Sequence, residues 1–157
     1  MHQLAATGTC RHTRICVTTQ QPTEFVDLSE QIDAFVADTG VDAGLVHVQS
    51  LHTTTAIVVN EHEPLLLADF ETLLSKTAPC DAAYRHDDMR TRTVNLAPGE
   101  RPNGHAHCRA LLLGSSVSLN VADGTIQLGQ WQRIFLVELD GPRTREASVL
   151  LFGEGLR

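Results

Sequence analysis

The chain has 157 residues, 42% hydrophobic and 20% charged, the size and balance of a single folded domain spanning residues 1–157 rather than of a disordered chain. Twelve Lys and Arg against 19 Asp and Glu leave a formal charge of -7, the wrong sign for a surface that must neutralise nucleic-acid phosphates. No run approaches the roughly 18 apolar residues of a membrane span, and the first residues lack the basic-then-apolar layout of a signal peptide, so a cytoplasmic location with neither nucleic acid nor membrane as partner is expected.

In chain order, residues 10–19 alternate loosely, with Ile15 and Val17 on one face, as in a half-buried strand. Asp27 followed by Glu30 reads as a variant capping box, and Leu28, Ile32, Phe35 and Val36 recur at helical spacing until Gly40. Residues 43–49 and 53–60, rich in Val, Ile and Thr, predict two strands separated by a bend at 50–52. If the run from His52 is one regular strand, His52, Thr54 and Asn60 project from the same face. Pro64 suits the first turn of a second helix, whose Leu66, Phe70, Leu73 and Leu74 form a stripe toward the core.

Residues 77–103 carry clustered Asp and Arg without a clear period; so long a loop is uncommon in a compact domain and is often functional. His107, Ala110 and Leu111 fall on one side of a short helix closed by Gly114. Asp123-Gly124 signals a hairpin between strands at 116–121 and 125–128. A strand follows at 131–139, Gly141-Pro142 supplies a turn, and 147–152 closes the sheet. Strands outnumber helices in mixed order, which favours α+β over a doubly wound parallel fold.

Several residues can carry chemistry. Cys10, Cys16, Cys80 and Cys108 show no C-x-x-C spacing and are expected as free thiols. Every basic residue except Lys76 is arginine, whose planar fork suits small phosphates or carboxylates, although coding bias gives the same excess. There are eight histidines. His52 reads either as part of a site rim or as a strand-end side chain satisfying a backbone group. A neighbouring carboxylate in Tyr84-Arg85-His86-Asp87-Asp88 can orient His86. His105 and His107 diverge if they lie on a helix, leaving one of them at most as a ligand. Arg143 and Arg145, two apart after a turn, either clamp a phosphate from one face or are solvated hairpin arginines. Trp131, the lone tryptophan, is a buried anchor or a stacking platform.

His52-Thr53-Thr54 with Asn60-Glu61, then His86, His107, Gly129-Gln130-Trp131-Gln132 and Asp140-Gly141-Pro142-Arg143-Thr144-Arg145 together resemble the YjbQ family over most of the chain. The resemblance implies an α+β fold, a β-sandwich of mixed or antiparallel sheets with two to three helices, assembled as a homotrimer with a cleft near a subunit interface. It implies His52, His86 and His107 as ligands of a divalent metal ion, with zinc among the candidates. Within the implied cleft, Glu61 and Arg143 are expected to be catalytic, and Thr53, Asn60, Trp131, Gln132 and Arg145 to bind substrate. Asn120 and Thr55 depart from the commoner proline and alanine of relatives. Some members are associated with a secondary thiamine-phosphate synthase activity, so the expectation is an enzyme that joins a pyrimidine methyl diphosphate to a thiazole phosphate and releases pyrophosphate. In that reaction Arg143, Arg145 and a metal stabilise the departing charge, while Glu61 accepts a proton or orients a ligand. The alternatives are a metal-dependent hydrolase or phosphoryl-transfer enzyme on a small phosphorylated metabolite, and a non-catalytic trimer that binds a metal or anion.

Overall fold

The computed structural model describes residues 8–155. In chain order these form β1 (Thr9–Thr18), β2 (Glu24–Asp27), α1 (Ser29–Thr39), β3 (Val41–Ser50), β4 (Thr55–Glu61), α2 (Pro64–Thr77), a 3-10 turn (Arg85–Asp87), α3 (Gly104–Leu113), β5 (Ser116–Ala122), β6 (Thr125–Ile126), β7 (Gln132–Glu138) and β8 (Thr144–Gly155). Five strands make one antiparallel sheet in the order β1-β8-β3-β5-β6, and three make a second in the order β2-β7-β4. The fold is α+β with three helices, as the strand-rich sequence predicts.

Burial by alternation explains the layers. Val46, Val48, Val149 and Leu151 of the large sheet meet Ile57, Ile134 and Leu136 of the small sheet, with Leu28, Ile32 and Val36 of α1 joining them. On the opposite face of the small sheet, Ala56, Phe135 and Val137 pack with Leu74 of α2 and Ala106 of α3. β7 is therefore covered on both faces, which is why residues 134–137 form an unbroken Ile-Phe-Leu-Val run.

Several local expectations need correcting. Asp27 and Glu30 do not form a capping box: Leu28 occupies the cap position, and Asp27, the last residue of a short strand with no alternation to announce it, accepts the Ser29 N–H at 2.9 Å. In α2 the inward residues are Leu67, Phe70 and Leu74, whereas Leu73 is exposed. On α3, Ala106 and Arg109 are buried and Leu111 is 84% exposed. The expected strand at 125–128 stops at Ile126, and the last strand begins at Thr144, earlier than 147.

The bend before β4 matters most. β4 starts at Thr55, so His52, Thr53 and Thr54 lie in a turn and not on a regular strand face. Ser50 accepts the His52 N–H at 3.1 Å, and its hydroxyl also bonds the buried Thr55 hydroxyl, giving that threonine a role an alanine would lack.

Candidate functional site

The 51–54 turn, the 85–103 loop, α3 and the start of β8 enclose a cleft of about 860 Å³. His52, Thr53, His86, His107, Arg143 and Arg145, distant in sequence, all line it. Its position follows from a few buried polar anchors. Leu51 N–H donates to the Glu146 carbonyl at 3.2 Å, and the Glu146 N–H donates to His52 Nε2 at 2.8 Å, so the turn is stapled to β8 from both sides. Asp87 Oδ1 accepts the N–H groups of Asn103 and Gly104 at 3.0 and 2.9 Å, which caps α3 and ties the turn carrying His86 to the helix carrying His107. The rings of His86 and His107 consequently meet edge-on with centroids 4.5 Å apart. His105, two residues away on the helix, instead faces Tyr84.

Asp140 organises the other wall. Its Oδ2 accepts from Arg143 Nη2 at 2.7 Å and from Asn103 Nδ2 at 3.0 Å, while Arg101 Nη2 reaches Oδ1 at 3.3 Å and the Asp140 carbonyl at 3.0 Å. Arg143 also donates Nε to that carbonyl at 3.0 Å. Both arginines remain partly exposed, with guanidinium edges outside these bonds. Arg92 and Glu100 pair at 2.5 Å and fold the 92–100 loop over the cleft.

Arg145 is different. Only 4% exposed, it is forked onto the fully buried Glu138, with Nε and Nη2 at 2.7 and 2.6 Å, and Nη2 also donates to Thr54 Oγ1 at 3.0 Å. A guanidinium so committed is not a free anion clamp, so the expected pairing of Arg143 with Arg145 gives way to one of Arg143 with Arg101. The lining contains Arg92, Arg101, Arg143 and Arg145 against Glu100 and Asp140, a local positive excess on a chain of formal charge -7.

Two of the cleft imidazoles, His52 and His107, are shifted away from the protonated form. Burial, then the nearby Arg145, lowers the His52 pKa, and burial, then His86, lowers that of His107. Since the Glu146 N–H points at Nε2, neutral His52 carries its proton on Nδ1, and neither nitrogen then offers a spare lone pair to a metal. His86 Nε2, by contrast, is buried without a hydrogen-bond partner. Among the described residues no group of three His, Cys, Asp or Glu side chains is arranged to hold a metal ion. The three-histidine set therefore does not fit a metal as it stands: the rings share a cleft, but only His86 and His107 converge.

Asn60, Glu61, Trp131 and Gln132 do not reach this cleft. They sit where β4 ends and β7 begins, with Asn60 opposite Arg133 and Glu61 opposite Gln132. The seven residues of β4 at about 3.3 Å each put Glu61 about 20 Å from the 51–54 turn. Asn60 Oδ1 accepts the Glu61 N–H at 2.9 Å, and Gln132 Oε1 accepts the Gly129 N–H at 2.7 Å and closes a tight turn. Trp131 is 64% exposed, so it is not a buried anchor within one chain. Near this end His62 Nδ1 meets Asp27 Oδ2 at 3.0 Å, a pair that sequence gave no reason to single out. Arg101, Asn103 and Glu138 also went unmarked: the first two are ordinary members of a loop without a period, and the third ends an apolar run.

The family model described as UPF0047 protein YjbQ-like matches residues 13–154. A UPF0047 protein of Methanothermobacter thermautotrophicus is 37% identical over 136 residues, 87% of each chain, and one of Archaeoglobus fulgidus is 39% identical over 131 residues, covering 83% of this chain and 93% of the relative. A crystal structure of a YbjQ-like protein of unknown function from Sulfolobus solfataricus superposes with a TM-score of 0.85 at 33% identity, covering 94% of this chain and 99% of the other. No helix among the described residues is long and apolar enough to cross a membrane.

Proposed function

The chain belongs to the UPF0047 protein YjbQ-like family, and from that premise we propose that its cleft binds a small phosphorylated metabolite and acts on it as an enzyme. What supports this is one combination: guanidinium edges of Arg101 and Arg143, pre-set by Asp140, facing the same space as the imidazoles of His52 and His107, whose pKa values burial lowers. Fixed cationic donors beside proton-carrying groups suit a reaction that builds charge on a leaving phosphate.

The reaction assigned here is that of a thiamine-phosphate synthase. The thiazole nitrogen forms a C–N bond to the methylene of the pyrimidine methyl diphosphate as the C–O bond breaks, and the electron pair departs with pyrophosphate. Arg143 and Arg101 receive that charge, and an imidazole N–H in the cleft donates a hydrogen bond to the leaving oxygen. Thr53 faces the organic portion of the substrate. Purified protein given both precursors, with and without divalent metal, is expected to form thiamine phosphate; no product under either condition removes the synthase assignment. Pyrophosphate binding measured by calorimetry tests the broader reading separately.

A second reading rests on the orphaned His86 Nε2 beside His107. Two adjacent imidazoles with Glu100 Oε1 at 3.7 Å from His86 Nε2 suit a divalent ion, zinc among others, and a hydrolase or phosphoryl-transfer enzyme would use one. Metal content of the purified protein, compared with His86→Ala and His107→Ala, decides: stoichiometric metal lost in both variants supports the ligand pair, and equal metal in all three refutes it.

A homotrimer gives Asn60, Glu61, Trp131 and Gln132 a route to a cleft, since the far end of β4 and β7 in one copy can meet the turn carrying His52 in the next. Light scattering at the mass of three chains, together with a blue-shifted Trp131 emission, is the expected result. A monomer with water-exposed emission leaves Glu61 without a catalytic role.

A further inference from the structure

Beside the arginine-lined cleft lies a second hollow of about 610 Å³ that shares Leu51, His52, Thr53 and His107 with it. The two differ in chemistry. The second is bounded by Ala110, Leu111, Gly114 and Ser115, the 51–53 turn and the adjoining ends of β3 and β4 at Gln49, Ser50 and Thr55, and no Asp, Glu, Lys or Arg lines it. Leu51 and Leu111 at its edge are both well exposed, and Leu111 gains nothing for the core at 84% exposure. An ionised group gains no counter-charge in such a space, whereas an uncharged ring or chain sheds water against Leu51, Ala110 and Leu111.

We infer that the two hollows are one bipartite site for a phosphate ester or diphosphate ester of a ring-bearing or aliphatic alcohol, with the anion on Arg101 and Arg143, the uncharged organic group against Leu51, Ala110 and Leu111, and the connecting bond between His52 and His107. The inference rests on the proposed anion-binding function and adds to it the residues that hold and select the organic group. Continuity through the two shared histidines is what joins the halves: a ligand seated on the arginines and long enough to pass His52 and His107 has the second hollow directly ahead. Selection by the Leu51–Leu111 wall is a matter of apolar area and therefore distinguishes small from large organic groups. It is blind to the phosphate, which both classes share.

The test uses two non-hydrolysable probes with the same head group, methylphosphonate and benzylphosphonate, titrated calorimetrically into the intact protein. Burying about half of a phenyl ring is worth on the order of tenfold in affinity, so benzylphosphonate is expected to bind about tenfold tighter than methylphosphonate. Arg143→Ala should weaken both probes by the same factor. Leu111→Ser, an exposed change on α3 that leaves the core intact, should remove a threefold or larger part of the benzyl preference and leave methylphosphonate within twofold. Equal binding of the two probes by the unaltered protein overturns the bipartite site while leaving the anion-binding function standing, and so does a benzyl preference that Leu111→Ser does not change. Failure of both probes to bind overturns the proposed function and this inference with it.

Discussion

Glu138→Gln isolates the buried ion pair under the cleft. Glu138 Oε1 accepts the N–H groups of Leu139 and Asp140, each at 2.9 Å, together with Arg145 Nη2 at 2.6 Å; Oε2 accepts the Thr19 hydroxyl at 3.0 Å and Arg145 Nε at 2.7 Å. Burial opposes ionisation of Glu138, but the bonds from Arg145 and from the Asp140 backbone outweigh it and hold its pKa below the usual carboxylate range. An amide keeps Oε1 for the two backbone donors and presents an N–H₂ where Oε2 stood, donor against donor, beside a guanidinium with no counter-charge. Removing one partner of a buried pair costs about 3–5 kcal/mol, and at about 3 °C per kcal/mol for a chain of this size Tm should fall by roughly 10 °C in scanning calorimetry. Because Arg145 also donates to Thr54, the 51–54 turn should loosen with it. In Glu138→Gln/Arg145→Met the stranded charge is gone while the backbone donors keep Oε1, so at least half of the loss should return. A single variant within about 3 °C of the parent, or a double variant as unstable as the sum of the single losses, would refute the placement of Arg145 as a structural residue.

Arg143→Ala is the complementary case. Its bridge to Asp140 is partly exposed and worth about 0–1 kcal/mol, so Tm should hardly move, whereas losing a charged hydrogen bond to a bound anion should weaken pyrophosphate at least tenfold by titration calorimetry. His52, His105 and His107 are all held below their ordinary value of 6.5, chiefly by burial. The unfolded chain therefore binds protons first on acidification, and the stability these histidines contribute is complete above 6.5 and lost as pH falls through their folded pKa values. Tm should accordingly rise between about pH 5 and about pH 7, with a smaller slope in His105→Gln. In Gly104→Ala the new methyl would sit 2.5 Å from Tyr84 Cβ, forcing Tyr84 and the adjoining His86 away from α3. A cost of about 1–3 kcal/mol in denaturant unfolding is expected, with weaker anion binding; unchanged stability would mean the 84–87 turn is not seated against the helix.

The sheet order of the fold is invisible in single segments, yet most elements were legible because alternation and helical spacing are local. β2 escaped because four half-buried residues carry no period, and α2 was misphased because its weakly buried face leaves Leu67 and Leu73 equally plausible. The site split along similar lines. His52, His86 and His107 could be picked out, since histidines beside small polar residues have little packing reason to be there. Whether Arg145 meets an anion or Glu138 depends on a contact seven residues away across a turn, which spacing alone does not encode. Nor could a motif show that Asn60 and Glu61 leave from the far end of the strand whose entry carries His52.

The arrangement of the arginines has a consequence for how an anion would be held. A free arginine side chain loses about 2 kcal/mol of rotamer entropy when it orders around a ligand. In this cleft Asp140 has already ordered Arg101 and Arg143, and Asn103 has ordered Asp140. That carboxylate offsets part of the positive charge, which lowers the pull on any anion at a distance. Within contact range the balance reverses, because an anion meets guanidinium edges already aimed and partly stripped of water. The net effect trades long-range attraction for geometric selectivity: a loosely held chloride gains little from fixed edges, whereas a phosphate with several acceptor oxygens can engage both arginines at once.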